Sequence, residues 1–287
     1  TIPGGFQLAE DSGTKVEEGI VIEDDTENHN QFVWIPVGEY NVTEETEKIT
    51  EPDEQDGKLI NELSRRNWAN KDVVAEPTLV SGDSAIKPSV VDADYYGEGD
   101  SRSCTMVDGT NSIDAFKTST TNRGGFYIGR YEQGTGNVCK AGVDAYTNVT
   151  RDTAKTQAES MYSGKTEIKA ITQLISSYAW DTALNFICQT NTEEYKLATT
   201  TDETYGNIGT GHKEQTGEYI VDEKPSDKYS NIYDLLGNCN ELTTEYTNGV
   251  TLRGGFYFYS SYYATDRNFT ETTTSNDLVG FRVQLYM

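Results

Sequence analysis

Positive charge and histidine are both scarce in this chain of 287 residues. Lys and Arg number 23 against 47 Asp and Glu, so the formal net charge is −24. A surface this acidic repels phosphate backbones and anionic headgroups, which excludes nucleic acid as a partner and argues against binding at anionic membrane surfaces. The two histidines, His29 and His212, lie in polar, loop-like contexts, and two cannot form a three-histidine metal site.

Long apolar runs and paired cysteine motifs are missing as well. No run of about 18 apolar residues occurs, so we expect no membrane insertion of this chain, and its first residues lack the pattern of a signal peptide. The four cysteines, at positions 104, 139, 188 and 239, include no C-x-x-C pair, which argues against a structural zinc site. Their even number permits disulfides, and buried or free thiols fit it at least as well.

Aromatic residues are plentiful instead. The 19 Tyr and 9 Phe indicate a folded protein, and the length suits one domain over residues 1–287. Composition and periodicity predict short strands and two main helices, which describe an α+β domain. The strands are expected within 4–24, over 31–37, over 124–132 and near the C-terminus, and Pro36 indicates that its strand either ends there or lies at the edge of a sheet. The helices are expected over 151–162 and 171–188.

Residues 38–122 differ from the rest in being rich in Glu, Asp, Thr, Ser and Gly. One helix-like island is predicted at about 56–70, where Leu59, Ile60 and Leu63 would share a face. We interpret 38–122 as a polar insertion on the surface of the domain, with a second polar loop over 190–229.

Five short motifs follow one another in an order that resembles the formylglycine-generating-enzyme family, whose domain is a large variant of the C-type lectin fold. The resemblance covers most of the chain outside 38–122 and 190–229, and it implies that fold with long irregular insertions. The motifs are GGFYIGRYE at 124–132, AWDTAL at 179–184, NIYDLLGNCNE at 231–241, RGG at 253–255 and GFRV at 280–283.

The resemblance does not carry the catalytic residues of the family with it. Oxidases of the family bind copper through two cysteines in the C-terminal third, but Cys239 is the last cysteine here. Its sulfoxide synthases hold iron with three histidines, and this chain has two. We therefore expect a non-catalytic protein that requires no cofactor. The alternative is a divergent enzyme of the family with unknown chemistry.

One structural metal site is implied by the resemblance. In the family, the turn that matches residues 234–241 can hold Ca²⁺, and here Asp234 and Glu241 would supply carboxylate oxygens. In the alternative interpretation, the two carboxylates only tie the turn to nearby backbone N–H groups.

The C-terminal segment 253–283 is the most informative part of the sequence. Six aromatic residues lie within 256–263, and the residues that follow are mostly Ser, Thr, Asn and Asp, a composition typical of binding surfaces. The alternation of Phe and Tyr predicts a strand over 256–259 with Phe256 and Phe258 inward. The predicted ligand-binding residues are Tyr257, Tyr259, Ser260, Ser261, Tyr262, Tyr263, Asp266, Asn268 and Thr270.

Framework residues flank this segment on both sides. We expect Arg253 and Arg282 to donate to backbone carbonyls or a carboxylate and so to fix the segment, and Arg267 could do the same. The predicted framework consists of Arg253, Gly254, Gly255, Gly280, Phe281 and Arg282.

The position and composition of the segment resemble the variable region of diversity-generating-retroelement target proteins. These are lectin-fold binders whose C-terminal region is rewritten by adenine-specific mutagenesis. The resemblance implies a bacterial or phage protein that lies outside the cell or on the cell surface, where a pilus or a phage particle would carry it. It also implies a protein or glycan ligand on another cell or host. A pilus or phage adhesin of fixed specificity is the alternative.

Overall fold

The protein is described by a computed structural model in which strands and helices are mixed, as the predicted α+β class requires. In the part described, no helix is long and apolar enough to cross a membrane. The described residues are 1–42, 58–68, 78–80, 105–106, 113–190, 206–209, 213, 215–217, 228–246, 249–259, 262–270 and 275–287.

A six-stranded antiparallel sheet forms the centre of the domain, and its strand order is β1-β2-β3-β9-β17-β10. The last strand of the chain lies inside this sheet, so the C-terminus is held between two earlier strands. The strands, numbered in chain order, are β1 Phe6–Leu8, β2 Val21–Asp24, β3 Gln31–Pro36, β9 Gly125–Gly129, β10 Ile171–Leu174 and β17 Val283–Tyr286.

A second sheet carries the C-terminal segment that the sequence singled out. Its order is β15-β14-β13-β16, and β8 also pairs with β13. Only the pairing of β13 with β16 is parallel among these described strands. The strands are β8 Thr105–Met106, β13 Asn240–Tyr246, β14 Val250–Arg253, β15 Arg267–Thr270 and β16 Val279–Phe281.

Three two-stranded hairpins complete the described strands, and two of them correct the prediction of a helix over 56–70. Leu59 is buried and Ile60 is 61% exposed, an alternation that arises because their strand pairs with β4 instead of coiling. The hairpin strands are β4 Gly38–Asn41 with β5 Lys58–Asn61, β6 Arg65–Asn67 with β7 Thr78–Val80, and β11 Lys228–Tyr229 with β12 Ile232–Tyr233.

Three α-helices are present in the described residues: α1 Ile113–Arg123, which was not predicted, α2 Arg151–Ser160 and α3 Ser177–Thr190. Helix α2 begins where it was predicted to begin. The Thr150 side chain caps its first turn by accepting a hydrogen bond from the Thr153 amide. The prediction of a helix from 171 was wrong over its first turn. Residues 171–174 form β10 because they pair with β17, and α3 begins only after Ser176, whose Oγ accepts from the Ala179 amide at 3.2 Å.

The buried residues form two clusters on opposite faces of the central sheet. Phe32 belongs to one cluster and its neighbour Val33 to the other, as the alternation of a strand requires. The Val33 cluster includes Trp180 of α3, and it also includes Phe116 from the stretch that we interpreted as a surface insertion. The described ends of 38–122 are therefore part of the core.

Candidate functional site

Two glycines direct the chain out of β14 at the start of the C-terminal segment. Gly254 and Gly255 have φ angles of +85° and +75°, a conformation that other residues rarely adopt. A Cβ on Gly255 would lie 2.3 Å from the Cβ of Tyr262, so the close approach of that tyrosine also requires glycine. We call residues 254–259 and 262–266, which connect β14 to β15, the aromatic loop.

The turn at residues 257–258 corrects the prediction of a strand over 256–259. Phe256 is buried, but Phe258 is 58% exposed and Tyr259 is 56% exposed. Phe258 was predicted to point inward, and it does not because a turn has no two-residue alternation. The rings of Phe258 and Tyr259 pack edge to face with their centroids 5.3 Å apart, and Tyr259 also contacts Phe256 at 5.4 Å.

The other predicted ligand-binding residues divide into three groups, which are partly exposed, outside the described residues, or buried. Tyr257, Tyr262, Tyr263, Asn268 and Thr270 are partly exposed, whereas Ser260 and Ser261 lie outside the described residues.

Asp266 is fully buried, which removes it from the predicted contact surface. Its Oδ2 accepts from the amide of Tyr263 at 3.0 Å, and its own amide donates to the Tyr263 carbonyl at 3.0 Å. Asp266 is buried because its carboxylate and amide together close the last turn of the aromatic loop.

A buried ionic network holds the two ends of the aromatic loop together. Arg253 and Arg267 are opposite each other in the register of β14 and β15. Arg253 donates from Nη2 to Asp181 Oδ1 at 2.7 Å, Arg267 donates to the other oxygen of Asp181, and Arg267 Nε lies 3.3 Å from Glu245. We call Asp181, Glu245, Arg253 and Arg267 the Asp181 network.

The charge of Asp181 is what makes this juxtaposition of two arginines possible. Burial alone would raise the pKa of Asp181, but the guanidinium groups of Arg253 and Arg267 hold this pKa below its usual value. The carboxylate also accepts from the Arg66 amide at 2.9 Å and from Trp68 Nε1 at 3.0 Å. It is therefore ionised and fully engaged at neutral pH.

Helix α3 thus positions the aromatic loop at several points. The residue before Asp181, Trp180, donates from Nε1 to the carbonyl of Ala264 at 3.1 Å, and its ring lies 5.4 Å from the Arg253 guanidinium. Arg253 Nε donates to the carbonyl of Asp266 at 2.8 Å. A carboxylate and a backbone carbonyl are the two kinds of partner that we expected for Arg253.

Sequence reasoning assigned no role to Asp181, although it lies in the motif at 179–184. The signal that could have revealed it is a charged residue within an otherwise apolar helix face, because a buried aspartate needs cationic or hydrogen-bonding partners.

A second buried cluster, formed around Arg282, supports the base of the aromatic loop, by which we mean the strands and the turn that hold the loop in place. Arg282 donates to Glu241 from Nη2 at 2.6 Å and from Nε at 3.0 Å. Arg282 also donates to the carbonyls of Gly129 at 2.9 Å and Tyr233 at 2.7 Å. In the framework around this arginine, Gly280 is opposite Glu241 in the register of β13 and β16, and Phe281 is buried.

Two further carboxylates, Glu132 and Asp234, are buried near Glu241, and we call the three the carboxylate cluster. Burial and the charges of Asp234 and Glu241 raise the pKa of Glu132 well above its usual value. Glu132 accepts from Asn238 Nδ2 at 2.6 Å, and the Asn238 carbonyl in turn accepts from the Tyr257 amide at 3.2 Å. The cluster therefore positions the aromatic loop through Asn238.

The calcium ligand set predicted for Asp234 and Glu241 does not fit this geometry. Both carboxylate oxygens of Glu241 contact Arg282, which supplies the positive charge that a cation would otherwise bring. In the part of the chain that the structure describes, no group of three His, Cys, Asp or Glu is arranged to hold a metal ion.

Two of the cysteines, Cys139 and Cys239, are buried close to Arg282 and the carboxylate cluster. Burial raises the pKa of Cys139 to about 11, and burial together with the neighbouring Glu132 raises the pKa of Cys239 as well. Because the thiolate is the form that attacks substrates and binds soft metals, neither thiol is activated for such chemistry at neutral pH.

Replacement of Gly255 by Ala tests whether the path of the aromatic loop depends on glycine. The added Cβ would overlap Tyr262. We therefore expect G255A to lower the free energy of unfolding by about 1–3 kcal/mol more than a Gly→Ala substitution that has a positive φ angle but no such overlap. The matched control is G164A, at φ +77° with open space around the added Cβ. Urea unfolding measures both, and equal losses would show that the packing of Tyr262 on Gly255 is not required.

The strands and helices together define the class of the protein, which is α+β. No family model matches the sequence, and none of the curated proteins compared with it does either.

Several solved structures resemble the chain in fold. PvdO from Pseudomonas aeruginosa is 13% identical, with 97% of this chain and 100% of that chain covered and a TM-score of 0.44. Treponema denticola variable protein 1 is also 13% identical, with 91% and 98% covered and a TM-score of 0.40. A Major Tropism Determinant I1 variant is 12% identical, with 99% and 83% covered and a TM-score of 0.32.

One of these structures is named a variable protein, the kind of protein that the C-terminal segment resembles in composition. A likeness at 12% or 13% identity concerns the fold alone and transfers no function.

Proposed function

We propose that this protein is a non-catalytic binding protein that uses the aromatic loop as its contact surface. The observation that carries the proposal is the exposure of two adjacent rings, Phe258 at 58% and Tyr259 at 56%, on a loop whose ends are fixed in the core. Exposed aromatic side chains that lie side by side mark contact sites more often than isolated ones do, and aromatic residues are enriched in interfaces.

The way in which the loop is held supports this proposal. The Asp181 network fixes both ends, Trp180 binds the carbonyl of Ala264, and Asn238 binds the amide of Tyr257. A loop that is ordered before its ligand arrives loses less conformational entropy on binding, and Phe and Tyr have few rotatable bonds to fix.

We further propose that the aromatic loop is a diversified segment of the retroelement type. The side chains that fix the loop, Arg253, Asp266 and Arg267, are buried, whereas the rings of Phe258 and Tyr259 contact other aromatic rings of the loop itself. The exposed residues can therefore be substituted without disrupting the contacts by which these buried side chains hold the loop. In this proposal the protein acts outside the cell or at a cell surface, and its ligand is a protein or glycan on another cell or host.

Selection of peptides from a randomised display library on the wild-type protein tests the contact surface while its natural ligand is still unidentified. We expect selected peptides to lose more than tenfold in affinity for a double variant, F258A/Y259A, because truncating central aromatic residues of an interface costs on the order of 2 kcal/mol. Both side chains are exposed, so the melting temperature of the variant should match that of the wild type.

The control removes two exposed apolar side chains elsewhere, Leu8 at 54% and Ile60 at 61% exposure. The L8A/I60A variant should bind the same peptides as tightly as the wild type does. Selected peptides that bind F258A/Y259A undiminished would show that the binding surface lies elsewhere.

A further inference from the structure

The charges in the segment that contains the aromatic loop are mostly negative. Between residues 254 and 279 the sequence has three acidic residues, at 266, 271 and 277, and Arg267 as its single base. The Arg267 side chain is 3% exposed and its charge is balanced by Asp181 and Glu245. No positive charge of this segment is therefore available to meet a ligand.

Asp277 is an exposed acid that lies near Tyr257 of the aromatic loop. The Asn238 carbonyl accepts from the Tyr257 amide at 3.2 Å, and the Asn240 amide donates to the Leu278 carbonyl at 2.9 Å. Tyr257 and the residue after Asp277 are thus bound to Asn238 and Asn240, which are two residues apart in the chain. The Asp277 charge also contributes, after burial, to a raised pKa of Tyr257.

The exposed rings add to this negative potential. The face of an aromatic ring carries partial negative charge and attracts Lys, Arg or other cations. Phe258 meets Tyr259 at an interplanar angle of 84° and Tyr257 at 76°, so the rings point in different directions instead of stacking face to face. Ring faces beside a carboxylate form a site suited to a cationic side chain.

The whole molecule favours the same kind of ligand. A net charge of −24 attracts basic partners over distances of about a Debye length and repels acidic ones. Most glycans are neutral or acidic, whereas exposed Arg and Lys are common on protein surfaces, so the charge distribution favours a protein over a glycan as the partner.

We propose that the aromatic loop binds a basic protein segment, an inference that rests on the proposed function. Arg or Lys side chains of the partner lie over the faces of Phe258 and Tyr259, and Asp277 pairs with one of the cations. Arg fits best, because its planar guanidinium stacks on rings and binds a carboxylate through two hydrogen bonds.

The composition of the selected peptides tests this inference separately from the proposed function. Among peptides that bind the wild type but not F258A/Y259A, we expect Arg and Lys to outnumber Asp and Glu at least threefold relative to the starting library. For one such peptide, D277N should weaken binding about three- to tenfold at 0.15 M salt. The control is D25N, which removes one exposed charge elsewhere in the chain and should change the affinity less than twofold.

Each outcome has a separate meaning. Ring-dependent peptides that are neutral or acidic, or equal effects of D277N and D25N, would overturn the basic-partner inference and leave the contact surface intact. An absence of ring-dependent peptides would overturn the proposed function itself. Binding to arrayed neutral glycans that is lost in F258A/Y259A would retain the contact surface and replace the basic protein with a sugar.

Discussion

Substitution of Asp181 by Asn is expected to lower the free energy of unfolding by about 3–5 kcal/mol. The carboxylate lies between the guanidinium groups of Arg253 and Arg267, and all three side chains are almost completely inaccessible to water. Asparagine keeps the shape but removes the charge, so two like charges would remain buried opposite each other with only Glu245 to balance them. A charge buried without compensation is costly because the low-dielectric interior cannot solvate it.

Urea unfolding of D181N measures this loss, and D152N is the matched control. Asp152 also accepts from an arginine, Arg151 at 2.8 Å, but its side chain is 75% exposed. Exposed pairs of this kind contribute about 0–1 kcal/mol, so D152N should unfold at nearly the urea concentration of the wild type. If D181N and D152N lose the same small amount, the Asp181 network does not stabilise the domain.

Arg282 is the second position where a large loss is expected, again about 3–5 kcal/mol for R282M. Methionine removes the charge that balances Glu241 and leaves the carbonyls of Gly129 and Tyr233 without this donor. The loss should grow with pH. Burial already raises the pKa of Glu241 while Arg282 opposes that rise, so without Arg282 the folded-state pKa rises further. A carboxyl group whose pKa is higher in the folded than in the unfolded state lowers the free energy of unfolding as the pH rises from the unfolded value towards the folded value.

Chemical unfolding of R282M at pH 5 and pH 8 tests both the size and the direction of this effect. K58M serves as the control, because Lys58 contacts Glu39 at 2.6 Å in a pair whose side chains are 44% and 54% exposed. Its cost should stay below about 1 kcal/mol at either pH. A loss for R282M that is smaller at pH 8 than at pH 5 would contradict the assignment of Arg282 as the counter-charge of the carboxylate cluster.

The parts of the fold that sequence predicts well are those with strong local signals. The β-branched and aromatic run that ends at Pro36 forms β3, the glycine-introduced segment forms β9, and Thr150 caps α2. In each case the residues that set the conformation lie within the element or next to it.

Most of the failures share a physical cause, which is that contacts with distant parts of the chain decide the conformation. Residues 171–174 have the apolar content of a helix but pair with the last strand of the chain. Helix α1 has a polar sequence and is fixed by burial of Ile113 and Phe116, which periodicity alone does not reveal. The strand predicted over 256–259 fails because two glycines turn the chain before any partner strand is reached.

The exposure of the candidate residues was predicted only in part. Composition predicted a contact surface around residues 256–263, and Tyr259 is exposed, as that prediction requires. Composition could not show that Asp266 turns inward to bind the Tyr263 amide, nor that Phe258 turns outward. A polar residue indicates a surface position only if the fold offers it no buried hydrogen-bond donor. Whether such a donor is present depends on contacts between distant parts of the chain.

Comparison of this gene among closely related isolates tests the central claim most directly. A diversified binding surface predicts amino-acid changes concentrated within codons 256–279, above all at the exposed positions 257–259 and at 262 and 263. The same comparison should find Arg253, Arg267 and Asp181 unchanged, because they hold the loop and contact no ligand. Changes spread evenly along the gene, or none in the aromatic loop, would contradict a diversified surface and leave an adhesin of fixed specificity.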